Sequence, residues 1–156
     1  MSQSSLVRAK LAELGLELPV AAKPLAAYVP AVRTGNLVFT AGQLPFVDGK
    51  LPFTGKVGGD VSIEQAKELA KLSALNCLSA VGTVASVDDI VQIVRVVGYV
   101  NGVAGFVDQS AVVNGASELF VHIFGEAGKH ARSAVGMAEL PMNSPIEVEL
   151  TVELRS

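Results

Sequence analysis

The stretch His130-Ala131-Arg132-Ser133-Ala134-Val135-Gly136 sets one guanidinium, that of Arg132, among small and apolar neighbours. Glu147 follows at the start of the alternating run Ile146 to Leu154. A guanidinium framed by small side chains can offer its planar fork to a carboxylate through two parallel N–H donors. A nearby carboxylate can then handle a proton or a water. Both residues also have plainer readings. Arg132 can be an edge arginine with its head in water, and Glu147 a solvated sheet-face glutamate like Glu149 and Glu153. If the two stretches are adjacent antiparallel strands, Arg132 and Glu147 come close together.

Other chemistries find no support in the sequence. His122 and His130 are the only histidines, and neither has a second ligand at metal spacing, so no metal site is expected. His122 reads as a solvated or capping side chain. Gly55-Lys56 lacks the strand-to-helix frame of a phosphate loop, and no Ser-His-Asp set can be assembled. Cys77 is the single cysteine, so no internal disulfide can form and a reducing compartment suits the chain. It lies within an apolar helical pattern and reads as a small buried hydrophobe. No metal or organic cofactor is expected.

The elements that would position these residues follow from periodicity and punctuation. Ser4 or Ser5 caps a first helix in which Leu6, Ala9, Leu11 and Leu14 recur at helical spacing, and Gly15 ends it. A connector with Pro19, Pro24 and Pro30 takes an extended path. Ala31 to Arg33 turns through Thr34-Gly35-Asn36 into the strand Leu37 to Ala41. The glycine-rich loop over 46–61 is either mobile or wrapped on a neighbour.

Ser62-Ile63-Glu64-Gln65 is a capping box that starts a helix running to about Val84, with Ile63, Ala66, Ala70, Leu72, Leu75, Leu78 and Val81 inward. Ile90 to Val100 is strongly β-forming, and its apolar residues on both faces make it central or partner-covered. Asp108 caps a further helix that Gly125 ends. Strands follow at Ala131 to Ala138 and, after a loop over Glu139 to Pro145, at Ile146 to Leu154. Two main helices on one face of a mixed sheet make an α+β fold.

Composition bounds the rest. Half of the 156 residues are apolar and 17% are charged, against about 25% charged in an average domain; mean hydropathy is +0.46. No stretch approaches the roughly 20 consecutive apolar residues of a spanning helix, and the first fifteen residues mix charge with apolar side chains, unlike a signal peptide. The excess apolar surface therefore predicts a closed homo-oligomer, without membrane contact and in the cytoplasm. A net charge of −3 with no Lys/Arg cluster gives no footprint for nucleic acid.

Several ordered pieces resemble the Rid family, also called YjgF or reactive intermediate deaminase. They are Tyr28-Val29 followed by Gly35-Asn36-Leu37-Val38-Phe39-Thr40-Ala41-Gly42-Gln43-Leu44-Pro45, Asn114 with its helix, Ala131-Arg132-Ser133, Leu140-Pro141, and Ile146-Glu147-Val148-Glu149. The resemblance covers residues 28–156, leaving 1–27 as an N-terminal helix and connector that, with the longer 46–61 loop, look like a longer branch. It implies a chorismate-mutase-like fold and a homotrimer with clefts between subunits. It also implies hydrolysis of enamines and imines such as 2-aminoacrylate to 2-keto acids and ammonia.

In that resemblance Arg132 grips the substrate carboxylate and Glu147 orients or activates water. Tyr28, the backbone near Gly42, and Asn114 line or support the cleft. Ala134 stands where relatives often carry Cys, and Ala41 where they often carry Ser, which bears on substrate identity. Two other activities compete with the deaminase. One is a non-catalytic trimer that binds small carboxylates as a sensor or regulator. The other is the endoribonuclease or translation-inhibitor role ascribed to some relatives.

Overall fold

The computed structural model describes residues 5–24 and 26–156. Helix α1 spans Leu6–Glu13, and Ser5 caps it by accepting from the Arg8 N–H at 3.3 Å; Ser4, the alternative cap, lies outside the described residues. A second cap arrives from far along the chain, where Asp88 Oδ1 accepts from the Val7 N–H at 3.1 Å. The buried stripe of α1 is Val7 and Leu11, not the expected set, since Leu6 and Leu14 are exposed.

Strands β1 (Ala31–Thr34) and β2 (Leu37–Thr40) form the expected hairpin. Gly35 takes the left-handed φ of 57° that its two-residue turn needs. The capping box is complete: Ser62 Oγ accepts from Gln65 N–H, and Gln65 Oε1 accepts from Ser62 N–H. It starts α2, Ile63–Val81. Strand β3 (Ile90–Asn101), helix α3 (Gln109–Phe124), β4 (Ala131–Met137) and β5 (Ile146–Leu154) follow. Asp108 holds the N-cap position of α3 without a side-chain capping bond, while Gly125 ends the helix as expected.

The sheet runs β1-β2-β5-β3-β4. All neighbours are antiparallel except β3 and β4, which are parallel. A parallel pair needs a crossover, and α3 supplies it. Strand β5 then inserts on the other side of β3, between it and the hairpin. The alternation in β5 is realised in full, with Ile146, Val148, Leu150, Val152 and Leu154 buried under the helices. The main helices α2 and α3 cross at Gly115, where a Cβ would strike the Lys67 carbonyl. The result is the expected α+β layer, a mixed sheet with its main helices on one face.

The loop over 46–61 packs on its own chain at several points. Val57 and Val61 are buried, Val57 N–H donates to Asn101 O at 2.8 Å, and Gly55 N–H donates to Asn143 O at 2.8 Å. Lys56 Nζ reaches the buried Asn101 Oδ1 at 2.7 Å. His122 is a tether and not a free side chain, with Nε2 3.2 Å from Lys10 O and 3.2 Å from Glu13 Oε2, joining α1 to α3. Cys77 is fully buried, donates to Val148 O at 3.2 Å, and has its thiol pushed up to about 12, chiefly by that burial. It fills the core as read. No helix among the described residues is long and apolar enough to cross a membrane.

Candidate active site

Glu147 sits on β5 with its side chain on the face away from the helices. Its position is set by the chain just beyond β2, where Gln43 pairs with Val148 through N–H···O contacts of 2.8 and 3.1 Å. That pairing lays Gly42 against the Glu147 side chain. A Cβ at Gly42 would collide with the Glu147 carboxylate, so the glycine clears the space the carboxylate occupies. Around it lies a cavity of about 270 Å³ whose walls include Lys23, Tyr28, Gly42, Gln43, Met142 and Glu147. Met142 is exposed and held at a left-handed φ of 56°, a conformation that costs energy in a side-chain-bearing residue.

The environment shifts Glu147. Half-burial raises its carboxyl above the usual carboxylate range, and the Glu149 carboxylate on the same face adds to the effect. Glu149 in turn accepts from Tyr99 Oη at 2.7 Å. Among the described residues nothing donates a hydrogen bond to the Glu147 carboxylate, which leaves both oxygens for a ligand or water.

Arg132 lies elsewhere. Its strand, β4, is the sheet edge, and its side chain turns to the helix face. Arg132 Nη1 donates to Asn114 Oδ1 at 2.8 Å and to Ser117 Oγ at 3.2 Å, both on α3. Both protons of Nη1 are thereby committed. Nε–H and Nη2–H, the side-on pair of the guanidinium, meet no protein acceptor among the described residues.

The expectation that adjacent antiparallel strands bring Arg132 to Glu147 is overturned. Strand β3 lies between theirs, and β4 runs parallel to it. Arg132 is level with Val96 and Leu150, whereas Glu147 is level with Tyr99 and Val135. Three residues along the strands and two strand spacings across put their Cα atoms about 14 Å apart by ideal sheet geometry, and their side chains leave opposite faces. Within one chain the structure therefore makes two groups: Tyr28, Gly42 and Glu147 at one cavity, Arg132 and Asn114 at the β4 edge.

Sequence reasoning missed Ser117 and His130 at the second group. His130 Nε2 is 2.9 Å from Ser117 Oγ, and Nδ1 is 2.6 Å from Gly128 O. The ring packs edge-on against Phe120. The spacing held a signal, since Ser117 is one helical turn beyond Asn114 and His130 is two residues before Arg132.

A family model described as "YjgF/chorismate_mutase-like, putative endoribonuclease" matches residues 8–154. The chain belongs to this family. Protein TCP17 of Trypanosoma cruzi is 37% identical over 155 residues, covering 98% of this chain and 97% of that protein. The crystal structure of Atu1372 from Agrobacterium tumefaciens superposes with a TM-score of 0.89 at 42% identity, covering 96% of this chain and 93% of that one. The structure of Escherichia coli TdcF with bound serine matches at 26% identity with a TM-score of 0.60, over 87% of this chain and 94% of TdcF.

The YjgF-family match begins inside α1, and TCP17 and Atu1372 cover nearly the whole chain. The similarity to those relatives thus extends into the N-terminal part of the chain. Among the described residues no group of three or more His, Cys, Asp or Glu could hold a metal ion.

Proposed function

We propose that the protein hydrolyses small, carboxylate-bearing enamines and imines, of which 2-aminoacrylate is the type, to 2-keto acids and ammonia. The observation that carries this reading is Glu147, a carboxyl raised by burial at the wall of a substrate-sized cavity, with no donor to its oxygens among the described residues. A general base works best with a pKa brought toward the operating pH. The serine in TdcF is a small amino acid carrying the same carboxylate and nitrogen on adjacent atoms, which supports a ligand of that class.

The enamine is first protonated from solvent at carbon three, giving the iminium form in which carbon two is electrophilic. Glu147 takes a proton from water as the water oxygen bonds to that carbon, giving a carbinolamine. Glu147 passes that proton to the nitrogen, the C–N bond breaks, and ammonia leaves as the hydroxyl returns its proton to Glu147 and the carbonyl forms. An iminium carbon is electrophilic enough that positioning and charge stabilisation suffice. Arg132 supplies the positioning through Nε–H and Nη2–H, which run parallel and suit both oxygens of a carboxylate.

Because Arg132 and Glu147 belong to different groups in one chain, the working site is a cleft between copies in a homotrimer. Arg132 of one copy faces the Glu147 cavity of the next. The helix-free sheet face supports an assembly of this kind, as Val32 is 53% and Phe39 45% exposed there. The net charge of −3 speaks against an RNA substrate.

The test is release of ammonia and pyruvate from 2-aminoacrylate generated in situ, measured against its spontaneous hydrolysis. Acceleration lost in Arg132→Ala and in Glu147→Gln is expected. Wild-type protein that binds pyruvate without accelerating hydrolysis would replace the enzyme with a carboxylate-binding module.

A further inference from the structure

The two bonds from Arg132 Nη1 decide which edge of the guanidinium faces outward, and one of the two acceptors is itself conditional. Asn114 Oδ1 is a plain acceptor. Ser117 Oγ is a hydroxyl, which rotates and can donate or accept. While it accepts from Arg132, its own proton needs a destination. His130 Nε2, 2.9 Å away, is that destination if the nitrogen carries a lone pair.

The other ring nitrogen settles the tautomer. His130 Nδ1 lies 2.6 Å from the Gly128 carbonyl oxygen, which can only accept, so Nδ1 carries the proton and Nε2 the lone pair. The directions then run without conflict: Arg132 Nη1–H to Ser117 Oγ, Ser117 O–H to His130 Nε2, His130 Nδ1–H to Gly128 O. Phe120 holds the ring edge-on, with centroids 6.0 Å apart, and fixes its plane.

We infer that His130 is a positioning residue for the carboxylate-binding arginine, acting through the Ser117 hydroxyl to lock both protons of Arg132 Nη1 onto α3 and so present the Nε/Nη2 edge to the ligand. The inference rests on the reading of Arg132 as the carboxylate-binding group, and it goes further by naming the edge used and the residues that choose it. The arrangement requires the neutral ring, and burial, with Arg132 nearby, lowers the ring's pKa against the opposing effect of the Gly128 hydrogen bond. A protonated ring would turn an N–H toward Ser117 and deprive the hydroxyl of its acceptor.

The first experiment needs no ligand. In nitrogen-15-labelled full-length protein, the Arg132 Nη protons are expected as separate, slowly exchanging resonances, and His130 as the Nδ1–H tautomer. In His130→Ala and Ser117→Ala the Arg132 resonances should merge through faster rotation. His130→Phe keeps a ring against Phe120 and removes the acceptor, so it should merge them too, which covers the case of an unfolded alanine variant. An Nε2–H ring in wild type, or separate resonances persisting in His130→Phe, overturns the inference whatever the protein catalyses.

The second experiment measures dissociation constants for pyruvate and for its neutral amide, pyruvamide. Loss of one oriented hydrogen bond predicts about three- to tenfold weaker pyruvate binding in His130→Ala, the same in Ser117→Ala, and no further loss in the double variant. Pyruvamide should be unaffected. Losses that multiply in the double variant, or that are equal for both probes, contradict coupling through Ser117. Wild-type protein that shows the expected resonances and binds neither probe would remove the carboxylate role of Arg132, and with it the proposed function, while leaving the hydrogen-bonded chain established.

Discussion

The Glu147 carboxylate fills the space that a side chain at Gly42 would need, so the candidate base owes its position to an atom the neighbouring residue lacks. The φ of Gly42 is not in the left-handed region, so alanine fits the backbone there and the clash is confined to Glu147. Gly42→Ala should lower kcat on 2-aminoacrylate about ten- to a hundredfold, the scale of a displacement of roughly 1 Å at a reacting group, while circular dichroism shows a native fold. Unchanged kcat would mean that the carboxylate does its work elsewhere.

The two charged residues should fail in different ways. Arg132→Lys keeps the charge and loses the parallel donor pair, so pyruvate binding should weaken about ten- to a hundredfold, equivalent to roughly 1.5–3 kcal/mol. Glu147→Gln should keep binding and lose turnover, because an amide takes no proton from water. Titration calorimetry and single-turnover kinetics separate these outcomes. Cys77→Ala removes the thiol's bond to the Val148 carbonyl, on the core side of the sheet from the Glu147 side chain, and should alter neither.

The raised carboxyl of Glu147 has a stability consequence with a definite sign. Its folded pKa lies above the unfolded value, so the folded state binds the proton more tightly. Stability from this group is full below the unfolded pKa and is lost as pH rises through the folded one. Glu147→Gln mimics the neutral form, and should raise Tm at pH 7 with the gain vanishing toward pH 3. A variant less stable than wild type at pH 7 would show that the carboxylate is held by favourable contacts.

Helix α1 should be integral to the domain. Leu11 is fully buried, and Asp88 and His122 bind the helix from two other elements. Leu11→Ala should cost about 2–5 kcal/mol, read from urea unfolding, and deletion through Leu14 should cost more. Loss of less than about 1 kcal/mol would make the helix an appendage.

Local signals were legible and tertiary ones were not. The capping box at Ser62, the glycine stop at Gly125 and the alternation of β5 each specify their element from a few adjacent residues. Strand order depends on α3 carrying the chain over to the far edge of β3 and on β5 returning between β2 and β3, and no local pattern encodes that choice. Hence the candidate residues are legible in the sequence, while the separation of Arg132 from Glu147 within one chain is not. The intrachain anchorage of the loop over 46–61 was hidden for a related reason, because it includes the buried Asn101 of a strand remote in sequence. His130 was tested only against metal spacing, which hid its place two residues from Arg132.

The most direct test of a site shared between copies is activity in mixed trimers. Arg132→Ala and Glu147→Gln subunits, each inactive alone, are co-refolded in equal amounts and assayed on 2-aminoacrylate, with light scattering to confirm trimer mass. If each cleft takes Arg132 from one copy and Glu147 from the next, every mixed trimer has one intact cleft in three, and random assembly restores about a quarter of wild-type activity. Activity that stays at the level of the separate variants, in trimers shown by mass spectrometry to be mixed, would contradict the shared site.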